Sequence, residues 1–132
     1  MNSDYRTLII DDSAQYRMII SKFLKNLGFE NIETAEDGRL GVDKARSLKP
    51  HLVYLDGVMP TMDGITALQE IKKENPGTIV IISSSLSEKA KVLRFKEAGA
   101  DFYLLKPYDR EKFEEVTNKA LAILENQTRN VS

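Results

Sequence analysis

Four short apolar runs in this chain each stop abruptly at a polar group. Thr7-Leu8-Ile9-Ile10 ends at Asp11-Asp12, and Leu52-Val53-Tyr54-Leu55 ends at Asp56. Ile79-Val80-Ile81-Ile82 ends at Ser83-Ser84-Ser85, and Phe102-Tyr103-Leu104-Leu105 ends at Lys106-Pro107. A weaker run, Asn31-Ile32-Glu33-Thr34-Ala35, lies between the first two. Continuous runs rich in β-branched residues predict strands buried on both faces, as in a parallel sheet.

Helical patterns alternate with these runs. Tyr16, Ile19, Ile20, Phe23, Leu24 and Leu27 recur at helical spacing, with Ser13 as N-cap and Gly28 just past the end. A second helix is expected over Gly38 to Leu48, stopped by Pro50. Ile65, Leu68 and Ile71 mark a third, closed by Asn75-Pro76-Gly77; Val92, Phe95 and Lys96 before Gly99 mark a fourth. Phe113, Val116, Ala120, Ile123 and Leu124 mark the last. Strand then helix, five times over, predicts an α/β fold: a five-stranded parallel sheet, doubly wound, with right-handed crossovers. Ligands in such sheets bind at the carboxyl ends of the strands, and there the polar stops collect.

With 132 residues, one domain is expected, its core at about 5–124 and residues 125–132 a frayed polar tail. The chain has no cysteine and a single histidine, His51, which excludes thiolate chemistry and a multi-histidine zinc site. His51 precedes the third strand, at the edge opposite the polar stops, and is assigned to structure. The net charge of −1 gives no field to recruit nucleic acid or an anionic membrane. No apolar run is long enough to span a bilayer, and the first residues carry no signal pattern, so a cytoplasmic protein is expected.

Asp11, Asp12 and Asp56 converging at one edge would repel one another unless a cation intervened. Mg²⁺ suits them, because it prefers oxygen ligands and needs only one or two carboxylates beside its waters. A metal so held attracts phosphate and templates transfer to a carboxylate. Asp56, from a central strand, is the candidate nucleophile. Lys106 can meet a phosphoryl oxygen, and a serine hydroxyl after the fourth strand can meet another. Taken singly, each group has an ordinary explanation: Asp11-Asp12-Ser13 as a helix cap, Asp56-Gly57 as a turn, Lys106 as a solvated lysine, the serines as loop. All four explanations would have to hold at once. The charged stretch Glu111 to Glu115 reads as a solvated helix face.

Leu8-Ile9-Ile10-Asp11-Asp12-Ser13, Leu55-Asp56-Gly57-Val58-Met59-Pro60, Met62-Asp63-Gly64, Ala98-Gly99-Ala100-Asp101 and Leu105-Lys106-Pro107 together resemble the receiver domain of two-component response regulators, in its stand-alone chemotaxis-type form. The resemblance covers about residues 5 to 124. It implies the flavodoxin-like strand order 2-1-3-4-5 and a signalling switch rather than a classical enzyme. Asp56 would be phosphorylated by a sensor histidine kinase or a phosphotransfer protein. Asp12, Asp56 and the backbone carbonyl of Val58 would ligate Mg²⁺, with Asp11 acting largely through water. Ser84 would be the switch hydroxyl and Tyr103 the switch aromatic, turning inward on phosphorylation. The Lys106–Pro107 bond would be cis. The surface altered would be that of the fourth helix, fifth strand and fifth helix, including Lys91, Arg94, Tyr103, Tyr108 and Lys112. With no output domain attached, a separate protein effector is expected, the chain acting as a monomer or weak dimer.

Val58 and Leu86 are apolar where polar side chains would orient a hydrolytic water, so a long-lived phosphoaspartate is expected. Gly57 is expected to leave the pocket mouth open to small phosphodonors. Three other readings fit less well. A hydrolase with an aspartate nucleophile would need a second acid where Val58 stands. A nucleotide module would need a phosphate-cradling first loop, not Asp11-Asp12. A phosphorylation-independent interaction module would have no use for the full set of charged groups.

Overall fold

The computed structural model describes residues 1–131, with side chains through Thr128. A 3₁₀ turn, Asn2–Asp4, precedes β1 (Thr7–Ile10), α1 (Ala14–Asn26), β2 (Ile32–Ala35), α2 (Gly38–Leu48), β3 (Leu52–Asp56), α3 (Gly64–Glu74), β4 (Ile79–Ser84), α4 (Lys89–Glu97), β5 (Phe102–Leu105) and α5 (Arg110–Val131). The five strands form one parallel sheet in the order β2-β1-β3-β4-β5, as expected.

Alternation along the buried strands divides the core in two. Leu8, Ile10, Val53, Leu55, Val80 and Ile82 pack with residues of α2, α3 and α4 on one face. Ile9, Leu52, Tyr54, Ile79, Ile81 and Leu104 pack with α1 and α5 on the other. Covering both faces turns each strand into an unbroken apolar run, because period-2 side chains find a dry environment either way.

The caps follow the sequence. The Ser13 side chain accepts from Tyr16 N–H, that of Asp37 from Leu40 N–H, and that of Asp63 from Thr66 N–H. Gly28, at φ 90°, ends α1, and Gly99, at φ 111°, follows α4; both use a left-handed backbone that glycine adopts without a Cβ clash. The frayed tail expected from Glu125 is instead helix through Val131, and Ser132 lies outside the described residues. Continuous i→i−4 bonding carries α5 onward after its last buried anchor, Leu124. On α5, Phe113, Val116, Ala120 and Leu124 are buried as expected; Ile123 is instead partly exposed, and Leu121 fills the core in its place. His51 is structural: its Nδ1 accepts the Arg6 N–H at 2.9 Å, its ring meets Tyr5 edge-on, and burial lowers its pKa. Within Glu111 to Glu115, Glu114 pairs with Arg110 and Lys112 with Glu115 along α5, while Phe113 between them is buried.

The Ala98-Gly99-Ala100-Asp101 motif has a structural use. Asp101 Oδ2 accepts the Val80 N–H at 2.8 Å and pairs with Lys72 Nζ at 2.7 Å, while Lys72 also donates to the Thr78 carbonyl at 2.6 Å. One carboxylate therefore ties α3, β4 and the loop before β5 together. Asp101→Ala is expected to cost about 1–3 kcal/mol, because it strands a backbone donor and a half-buried ammonium. A urea midpoint unchanged from wild type would contradict this. Phe95 is the one fully buried residue of α4, so this helix is held mainly at a single point.

Candidate functional site

Register sets the site. Ile10 pairs with Leu55 and Asp56 with Ser83, so the residues ending β1, β3 and β4 leave the sheet side by side. Asp11, Asp12 and Asp56 bring carboxylate oxygens within 4.8 Å of one another. Asp11 is buried; its Oδ1 accepts the Ser13 N–H at 2.9 Å and its Oδ2 pairs with Lys106 Nζ at 2.9 Å. Asp56 is buried too, with Oδ1 accepting the Val58 N–H at 3.1 Å and Oδ2 3.7 Å from Lys106 Nζ. Asp12 is exposed. The Lys106–Pro107 bond is cis, as expected.

Burial raises the Asp56 pKa to about 7, helped by the neighbouring carboxylates of Asp11 and Asp12. The Val58 N–H and the Lys106 ammonium pull the other way without prevailing. A carboxylate cluster that disfavours its own charge is a fit for a small, hard cation with oxygen ligands. Over it lies an open pocket of about 460 Å³ lined by Asp12, Ser13, Tyr16, Asp56, Val58, Ser85, Lys106 and Pro107.

The serine triplet divides three ways. Ser83 is buried, with its hydroxyl 2.9 Å from that of Tyr108. Ser84 is fully buried, its Oγ accepting the Leu86 N–H, while Ser85 faces the pocket. Tyr103 stands inward, its hydroxyl donating to the Leu86 carbonyl at 2.6 Å and its ring 6.0 Å from that of Phe95; burial raises its pKa.

Three expectations need correction. Gly57 does not open the mouth. It is buried, and a Cβ there would come within 2.8 Å of Ser84 Oγ and 3.1 Å of Phe95. It is small because β4 and α4 pack onto it. Leu86 does not face the pocket over Asp56; it packs on the α2–α4 side of the core and lines a groove between α3 and α4 with Lys91 and Arg94. Tyr108 does not belong to the α4–β5–α5 surface. It turns toward α1, stacks on Phe113 and touches Tyr16, and burial pushes its pKa upward. Lys91, Arg94 and Lys112 are exposed, as expected.

Two contacts at the site were not foreseen. Arg17 donates to the Asp11 carbonyl at 2.8 Å, and the Tyr16 ring lies under Lys106 Nζ, 4.1 Å from its centroid. Both belong to the first turn of α1, which starts at the same sheet edge as the polar stops. That placement was the available signal; the helical spacing of Tyr16 assigned it to the apolar face instead.

The sequence matches the response regulator receiver domain family over residues 7–118. This chain belongs to that family. The receiver is similar to chemotaxis protein CheY of Bacillus subtilis, 39% identical over 117 residues that cover 89% of this chain and 98% of that protein. It is also similar to chemotaxis protein CheY of Thermotoga maritima, 37% identical over 86% of this chain and 95% of that one. Among solved structures, the CheX-CheY-BeF3-Mg+2 complex from Borrelia burgdorferi aligns with a TM-score of 0.85 and 32% identity, covering 89% of each chain. The receiver is thus a two-component signalling domain, similar along most of its length to proteins named for chemotaxis. No helix among the described residues is long and apolar enough to cross a membrane.

Proposed function

We propose that this receiver is a phosphorylation-operated switch in which Asp56 takes a phosphoryl group from a phosphohistidine of a sensor histidine kinase or phosphotransfer protein. The observation that carries this reading is the placement of Asp56. Its carboxyl group lies in the floor of an open pocket, near two further carboxylates, with an ammonium 3.7 Å away. Asp56 forms the new P–O bond as the donor's P–N bond breaks, and the leaving imidazole takes its proton from solvent. Asp12, Asp56 and the Val58 carbonyl would hold Mg²⁺, with Asp11 acting through water. When bound, Mg²⁺ supplies charge neutralisation and a template for the phosphoryl oxygens. Lys106, already anchored by Asp11, meets one phosphoryl oxygen, and the Ser84 hydroxyl meets another.

The response is a population shift. Tyr103 already stands inward against Phe95 and the Leu86 carbonyl. On this reading the phosphoryl group, by holding Ser84, stabilises that inward arrangement against its alternatives. The readout is a separate protein meeting α4, β5 and α5. Those elements carry the exposed Leu93, Leu105, Lys91, Arg94 and Lys112. The reading includes a cytoplasmic setting, a monomer or weak dimer, and no direct nucleic-acid contact.

Incubation with acetyl phosphate and Mg²⁺ should label Asp56, as mapped by proteolysis and mass spectrometry, and chelation should prevent it. Absence of label on the wild-type protein would defeat the reading. Partner capture should strengthen when beryllofluoride is added.

Val58 is more than half exposed at the pocket and offers no polar group to hold an attacking water. The phosphoaspartate is therefore expected to last minutes in Mg²⁺ without a phosphatase. Val58→Asn should shorten it several-fold, followed as loss of label after the donor is removed. A wild-type half-life of seconds would sink this expectation. Leu86, facing elsewhere, no longer contributes to it.

A further inference from the structure

None of the roles above uses the aromatic surface beneath Lys106. Its Nζ has Asp11 Oδ2 at 2.9 Å and Asp56 Oδ2 at 3.7 Å, and it lies over the Tyr16 ring at 4.1 Å from the centroid. An ammonium over a ring face is attracted by the negative face of the quadrupole, more strongly where water is thinned out. Lysine needs that help. Its four-carbon stem is flexible, and of its two carboxylate partners only Asp11 lies within hydrogen-bond distance.

Tyr16 is itself braced. Its ring lies 5.9 Å from that of Tyr108, which stacks on Phe113 at 6.3 Å, and Phe113 stacks on the buried Tyr54 at 5.1 Å. The Tyr108 hydroxyl is held by Ser83, the residue paired in register with Asp56. A chain of aromatic contacts, stacked from Tyr54 through Phe113 to Tyr108 and tilted from Tyr108 to Tyr16, therefore runs from the α1–α5 core to the ammonium beside the candidate acceptor.

We propose that Tyr16 is a positioning residue whose ring face keeps the Lys106 ammonium over Asp56, where it meets the incoming phosphoryl oxygen. The inference rests on the phosphoacceptor reading of Asp56. It works through the ring, so the hydroxyl is dispensable and an aliphatic side chain is not a substitute.

The test is a double-mutant cycle. Labelling by acetyl phosphate in Mg²⁺ is timed for wild type, Tyr16→Leu and Tyr16→Phe, each with Lys106 intact and with Lys106→Ala. Tyr16→Leu is expected to slow labelling at saturating donor by about tenfold, and Tyr16→Phe to restore it. Mg²⁺ affinity, read from the metal-induced rise in Tm, should not change. In the Lys106→Ala background, Tyr16→Leu should add no further loss. Labelling of Tyr16→Leu at the wild-type rate would overturn the inference, as would an equal slowing in both backgrounds. Should Tyr16→Leu fold poorly, Tyr16→Met fills the space without a ring and is judged by the same outcomes. Failure of the wild type to label would strike the phosphoacceptor reading itself, so the two failures are distinguishable.

Discussion

Asp56→Asn is expected to reduce labelling by a small phosphodonor to background and, in the absence of metal, to make the protein more stable. The first effect follows because an amide oxygen is a poor nucleophile and the other two carboxylates are committed differently. Asp11 is engaged by Lys106 and the Ser13 N–H, and Asp12 is exposed at the rim. Residual labelling at the wild-type rate would mean that another carboxylate is the acceptor.

The second effect follows from the cost of the Asp56 charge. Burial, then the neighbouring carboxylates, raise its pKa from 3.8 to about 7 in the folded state. The folded protein therefore binds that proton more tightly than the unfolded chain does. The resulting stabilisation is present below about pH 4 and is lost as pH rises through about 7. Asparagine carries no such penalty. In chelator, the variant's advantage in unfolding free energy, read from urea denaturation, should be small at about pH 5 and should grow to about 1–2 kcal/mol at about pH 8, allowing for water at the pocket mouth. Adding Mg²⁺ should narrow the gap by stabilising the wild type through binding. A variant no more stable than wild type at the higher pH would show that the acidic cluster is not strained.

Gly64→Ala should have the largest effect on stability. A Cβ at Gly64 would lie 2.7 Å from the Gly57 carbonyl oxygen, 2.8 Å from Gly57 Cα and 3.0 Å from the Asp56 carbonyl oxygen. All three are backbone atoms, so no flexible side chain can yield. The N-terminus of α3, with its Asp63 cap, would have to back away, or the Asp56–Gly57 peptide would have to move. Either change costs about 2–4 kcal/mol and displaces the candidate acceptor, so labelling should slow as well. Gly77→Ala is the control: a Cβ there meets only Asn75 Oδ1 at 3.5 Å, and a change within about 0.5 kcal/mol is expected. Equal stability of the two variants would refute the close-approach argument.

The alternation of apolar runs and helical stripes determined the element order, the parallel sheet and the edge where Asp11, Asp12, Asp56 and Lys106 meet. These are local properties. Strands buried on both faces read as apolar runs, caps such as Ser13 precede their helices, and a strand's end is visible where polarity returns. Side-chain direction and close approach were not legible, because they depend on residues distant in sequence. Gly57 read as an open mouth but is a packing surface for Ser84 and Phe95. Leu86 read as a pocket residue but turns into the α3–α4 groove. Tyr108 read as part of an output surface but faces α1. The placement of Tyr16 under Lys106, 90 residues away in sequence, depends on how α1 and the loop after β5 come to share one sheet edge. Which groups reach the site was legible in the sequence; how each one is held there depended on packing across the sheet, where a rotation of one side chain exchanges pocket for core.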